Sequence, residues 1–148
     1  MNGVPLRSVE ALIGLCSPDA EEAIENAKVI IAQVKSGNFA ALVQRIAEHR
    51  KMPLGSRVAA TYSLGFLTGP SIGKTLISIL SSSKEPDNLR DHAAEALGNR
   101  RETRAVDTLI KVGAGAGYRS RLRKSCVYAL RQIGGRRAEQ ALKRLNAR

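Results

Sequence analysis

The chain has 148 residues, a formal net charge of +11, 43% hydrophobic residues and only 3% aromatic ones. That is the balance of one soluble globular domain whose packing rests on small aliphatic side chains. Two cysteines, Cys16 and Cys126, exclude a disulfide framework, and no apolar run is long enough to span a bilayer, so a reduced cytoplasmic setting is expected.

The N-terminus carries only a six-residue apolar run, Ala11 to Cys16, behind the basic Arg7 and with no small-x-small cleavage site, so no secretory signal is expected. Leu6, Val9 and Ile13 stand 33 residues before Phe39, Leu42 and Ile46, which predicts a capping helix over about residues 4–16. Ala27, Ile31, Phe39, Val43 and Ile46 stand the same distance before Ala60, Leu64, Ile72, Leu76 and Ile79. They mark a degenerate first helical pair over about 18–54.

The period then becomes explicit. Arg57-Val58-Ala59-Ala60-Thr61-Tyr62-Ser63-Leu64-Gly65 returns as Arg90-Asp91-His92-Ala93-Ala94-Glu95-Ala96-Leu97-Gly98, and again from Arg123 to Arg131. A second column, Ile72, Leu76 and Ile79, recurs as Ala105, Leu109 and Val112, then as Ala138, Leu142 and Leu145. Leu89, Ala93, Ala94 and Leu97 form the stripe of an amphipathic helix, with Gly98 read as its C-terminal end. Pairs are predicted over about 55–84, 88–114 and 120–147, with the glycine run Gly113 to Gly117 read as a flexible linker. A fixed period of this length means stacked units, each burying its apolar face against its neighbours. The expectation is an all-α solenoid of about four hairpins plus the cap, one domain over 1–148.

Leu89-Arg90-Asp91-His92-Ala93-Ala94-Glu95-Ala96-Leu97-Gly98, followed by Arg104-Ala105-Val106-Asp107-Thr108-Leu109-Ile110, resembles the HEAT-like repeat of the phycobilisome-lyase type. That repeat is recognised by Val-Arg-x-x-Ala-Ala-x-Ala-Leu-Gly, a short turn, then Arg-Ala-Val-x-x-Leu-Ile. The resemblance is strong over 55–145 and weak over 18–54; it departs at Arg131, where the consensus has Gly, and in the longer, basic linker Gly113 to Arg121. It implies an α-α superhelix with second helices on the concave side. It implies no single activity, because such repeats serve scaffolds, chaperones, bilin lyases and DNA-repair enzymes. In the resembling family, arginines such as Arg57, Arg90 and Arg123 pair with acidic residues near the repeat junctions, here Asp87, as a structural brace.

No phosphate-binding loop, nucleophile motif or zinc motif appears, and His49 and His92 are isolated, so no catalytic residue, cofactor or metal site is expected. The charge is more informative. Residues 1–88 hold nine Lys/Arg against eight Asp/Glu, whereas residues 89–148 hold fifteen against five. The turns Asn99 to Arg104 and Gly134 to Arg137 each open a second helix, where free N–H groups and the dipole favour anions. The candidate surface is therefore Arg100, Arg101, Arg104, Lys111, Arg119, Arg121, Arg136, Arg137, Lys143 and Arg144. These observations point to a non-enzymatic scaffold or adaptor that docks an acidic protein partner through its basic C-terminal half. The alternatives are phosphate-directed nucleic-acid binding without base readout and, from the resemblance, a lyase-like or chaperone-like role towards a bilin protein. An exposed last repeat also offers a route to self-association.

Overall fold

A computed structural model describes residues 14–33 and 37–146. The predicted capping helix falls almost wholly outside them, and Leu6, Val9 and Ile13 are not described. Among the described residues there are eight α-helices, one 3₁₀ turn and no strand. The chain forms two compact units that divide between Ile72 and Gly73.

The first unit holds α1 (Ala20–Gln33), α2 (Gly37–Glu48) and α3 (Leu54–Leu64), and both α1 and α2 pack on α3. Asp19 starts α1, its carboxylate accepting from the Glu21 and Glu22 N–H groups at 2.9 and 3.3 Å. Ala23, Ala27, Phe39, Val43, Ala60 and Leu64 are buried, so one helix of small residues receives the larger side chains of its neighbours. Two buried hydroxyls on α3, Thr61 and Ser63, donate to the carbonyls of Arg57 and Ala59 four residues back, which satisfies them without a cross-helix partner.

The second unit is built mainly from α4 (Ile72–Ser81), α5 (Asp87–Asn99), a 3₁₀ turn (Thr103–Ala105), α6 (Val106–Gly115), α7 (Arg121–Ile133) and α8 (Arg136–Asn146). The first helices of successive pairs lie against each other, α5 along α7, while α6 and α8 pack on α7 and on one another. Ser120 caps α7 by accepting from the Arg123 N–H at 3.1 Å. The repeat columns become the core: Ala93 and Cys126, Leu97 and Leu130, and Ala105 and Leu109 are fully buried. In the last pair the column loosens, with Leu142 only half-buried.

Three glycines depart from the sequence expectation, and two of them make close contacts. Gly98 does not end its helix; it lies within α5, where a Cβ would stand 2.7 Å from the Ala129 Cα of α7. Gly113 and Gly115 are likewise helical rather than linker, and a Cβ on buried Gly113 would meet the Cys126 Cβ at 3.1 Å. Both absent side chains let a backbone approach its neighbour, and this is what an isolated glycine inside a helical pattern signals. Replacing Gly98 by Ala is expected to cost about 1–3 kcal/mol, since backbone rather than a flexible side chain must move. Urea denaturation checks it: a loss below ~0.5 kcal/mol, the size of an ordinary surface change, contradicts the close approach.

Candidate functional site

The most regular polar feature is the arginine ladder. The Arg57 Nε donates to the Ala47 carbonyl at 3.0 Å, the Arg90 Nε to the Leu80 carbonyl at 2.9 Å, and the Arg123 Nη1 to the Gly113 carbonyl at 3.5 Å. Each acceptor lies ten residues back, in the last turn of the preceding helix. Carbonyls there have no intrahelical donor and carry the negative end of the dipole, so a guanidinium both bonds and neutralises them. Arg123 adds the Leu145 carbonyl of α8 at 2.7 Å and lies over the Tyr118 ring, 5.3 Å from its centroid. The expected carboxylate partner is present at Arg90, 3.3 Å from Asp87, but the recurring geometry is arginine to backbone carbonyl. The backbone acceptors add to that pairing: consensus spacing marks where an arginine belongs, not every acceptor its five donors reach.

The turn arginines divide. Arg100 caps α5 and is half-buried, and desolvation holds its guanidinium below the ordinary arginine range. Arg101 adopts φ 51°, with its N–H on the Gly98 carbonyl at 2.9 Å and the Glu102 N–H on Leu97 at 3.0 Å. This is a Schellman closure with arginine where glycine is usual. Arg100 and Arg101 therefore belong to the C-terminus of α5, not to the N-terminus of α6 as expected. Arg104 is exposed and donates to Glu102 at 2.8 Å, a contact that holds the Glu102 carboxyl below its ordinary value. Arg136 and Arg137 do open α8; Arg137 pairs with Asp107 at 2.7 Å, both largely in solvent.

Asp91 carries a role that the sequence reading missed. It is buried on α5, with the His92 Nδ1 at 2.7 Å and the Arg121 Nε of α7 at 3.8 Å. The same His92 nitrogen lies 2.7 Å from the Asn88 carbonyl, so His92 is held against its own helix rather than standing free on the surface. Burial raises the Asp91 carboxyl above its ordinary value, with His92 and Arg121 opposing. Because the folded chain then holds the Asp91 proton more tightly than the unfolded one, its contribution to stability falls as pH rises from about 3.9 through the raised value. The Asp91→Asn variant removes that contribution, so its melting temperature relative to wild type should climb through the same window. A pH-independent difference counts against it. The available signal was register: 33 residues earlier stands the buried Val58.

Two open grooves lie in the second unit. One, about 560 Å³, is bordered by Ser81, Asp87, Arg90, Asp107, Thr108 and Lys111, so its charges are mixed. The other, about 360 Å³, is bordered by Arg119, Lys124, Arg131 and Asn146, with Val127 and Leu145 beneath; among the described residues no carboxylate lines it. The ten sequence candidates are thus distributed: Arg119 lies on the cationic groove, Lys111 on the mixed one, and Arg121 beside Asp91. Lys143 and Arg144 are exposed on α8. Lys124 and Arg131 were not among them. Burial pushes the Cys126 thiol up to about 12, which makes it a packing group with little thiolate. Among the described residues no three His, Cys, Asp or Glu side chains gather to hold a metal, and no helix is long and apolar enough to cross a membrane.

Comparison with known proteins gives one family and one fold. The sequence pattern described as HEAT repeats matches residues 73–148, just over half the chain. No curated protein matches it. Among solved structures, the complex of CpcE and CpcF of phycocyanin lyase from Nostoc sp. PCC7120 contains a similar chain, with a TM-score of 0.67 and 20% identity. The superposition covers 100% of this chain and 68% of that one. At that identity the likeness is one of fold, an α-α superhelix of HEAT-like repeats.

Proposed function

The chain belongs to the HEAT-repeat family, and from that premise we propose that it is a non-enzymatic adaptor whose basic second unit docks an acidic protein partner. The observation that carries this reading is charge. Residues 73–148 hold seventeen Lys/Arg against seven Asp/Glu, whereas residues 1–72 hold seven against six. Cations in such excess raise encounter rates with an acidic surface and select against basic ones. Exposed Arg101, Arg136, Lys143 and Arg144 join Arg119 and Lys111 in that surface. A lyase-like or chaperone-like role towards a bilin protein is the second reading, supported by the shared fold with a phycocyanin-lyase chain.

The test is competitive binding. The protein should be retained on heparin above low salt, and a pull-down treated with nuclease should keep an acidic protein that duplex DNA does not displace at physiological salt. Charge reversal of Arg136, Lys143 and Arg144 to Glu should weaken retention, lowering the salt slope by about 0.9 for each duplex-DNA phosphate that is no longer neutralised. Displacement by DNA moves the function to nucleic acid. A visible chromophore that co-purifies favours the bilin reading, and no heparin retention at all leaves the positive charge as mere solvation.

A further inference from the structure

We propose that the outer face of α7, around Lys124 and Arg131, is the docking surface, and that its occupant is an acidic, amphipathic helix of a different protein. The inference rests on the acidic-partner reading and adds which face and what kind of helix.

The argument is one of register. Helix α5 turns three residues towards α7: Asp91 towards Arg121, Gly98 against the Ala129 backbone, and Asn99, whose Oδ1 accepts from the Tyr128 hydroxyl at 2.6 Å. Thirty-three residues on, the same positions of α7 are Lys124, Arg131 and Gln132, all exposed. The stacking face is therefore repeated with its chemistry inverted. An acid that meets arginine becomes a lysine, and the glycine that lets a backbone close in becomes an arginine. A second copy presenting its own α7 would bring basic side chains to a basic face and find the close approach blocked, so pairing of two copies through α7 is disfavoured. A carboxylate-bearing helix is favoured instead, held at the longer distance that two extended side chains set.

The groove supports a protein occupant over a nucleic acid. Between Lys124 and Arg131 lies half-buried Val127, with Leu145 beneath it, so the site has an apolar floor as well as a cationic rim. Phosphates fit the rim and leave the floor in water; an amphipathic helix covers both. Lys124 and Arg131 are seven residues apart, two helical turns, and Arg119 extends the rim. Neither Lys124 nor Arg131 has a carboxylate within ion-pair distance among the described residues.

The test uses a synthetic helical peptide with two Glu seven residues apart flanking a Leu pair, its Lys-for-Glu counterpart, and a short DNA duplex, each followed by fluorescence anisotropy at physiological salt. Wild type should bind the Glu peptide, and neither the Lys peptide nor DNA should compete. The Lys124→Glu/Arg131→Glu variant should bind about tenfold or more weakly, a difference of about 1.4 kcal/mol. The Lys74→Glu/Lys84→Glu variant, with the same change of charge on exposed sites elsewhere, should bind within about twofold of wild type. Circular dichroism establishes that both variants are folded. Equal weakening in both variants overturns the face but keeps the acidic-partner reading; preferential DNA binding overturns that reading itself. No Glu-peptide binding, or a wild-type dimer in sedimentation that Lys124→Glu/Arg131→Glu dissociates, overturns the proposed occupant.

Discussion

Truncating Leu97 to Ala is expected to destabilise the second unit by about 2–5 kcal/mol. Leu97 is fully buried on α5, among the fully buried Ala93, Leu109, Cys126 and Leu130 of the same unit. Closely packed helices of small residues leave little freedom to collapse, so most of the removed volume persists as a cavity. Thermal or urea unfolding followed by circular dichroism measures the loss. A change under ~1 kcal/mol would mean that the packing is loose enough to refill the site, which Gly98 and Gly113 at their close contacts argue against. The same substitution at Leu142, half-buried in the last pair, should cost visibly less.

The second large effect belongs to Arg123. It is buried, bonds the carbonyls of Gly113 and Leu145, and lies over Tyr118. Alanine there leaves two carbonyls of helix last turns without their donor and opens α7 towards α6 and α8. Hydrogen bonds to a charged group contribute about 1.5–3 kcal/mol each, so a loss of about 3 kcal/mol is expected. Arg90→Ala should cost less, because its guanidinium is partly exposed. Arg90→Ala, which lies off the cationic groove, should leave polyanion affinity nearly unchanged once measured below its melting temperature. Affinity that collapses while the melting temperature stays fixed would transfer the ladder to the binding surface and sink the brace.

The cationic surface was legible only in part. A count of Lys and Arg finds the basic half from sequence, and Arg119, Arg136, Lys143 and Arg144 do lie exposed there. Which cations remain available after folding was not legible. Arg104 and Arg137 are drawn to Glu102 and Asp107, while Arg100 withdraws its stem into the protein. Lys124 and Arg131 were left out of the candidate surface because in sequence they are two ordinary charges on an amphipathic helix. They gain meaning only when α5 is seen to present Asp91 and Gly98 at the same register.

The sequence by itself determined the architecture of helical pairs, because a 33-residue period repeats local information: a stripe of small and leucine residues, a turn, and a second apolar column. It also determined the buried positions, since Ala60, Ala93 and Cys126, like Leu64, Leu97 and Leu130, are equivalent by period and equally buried. Tertiary structure alone decided the partners. Whether Gly98 ends a helix or meets a backbone, and whether Arg123 reaches a carboxylate or the Leu145 carbonyl, depends on what a second helix brings to within about 3 Å. Periodicity reports which face of a helix is turned inward; it holds no information about the atom waiting on the other side.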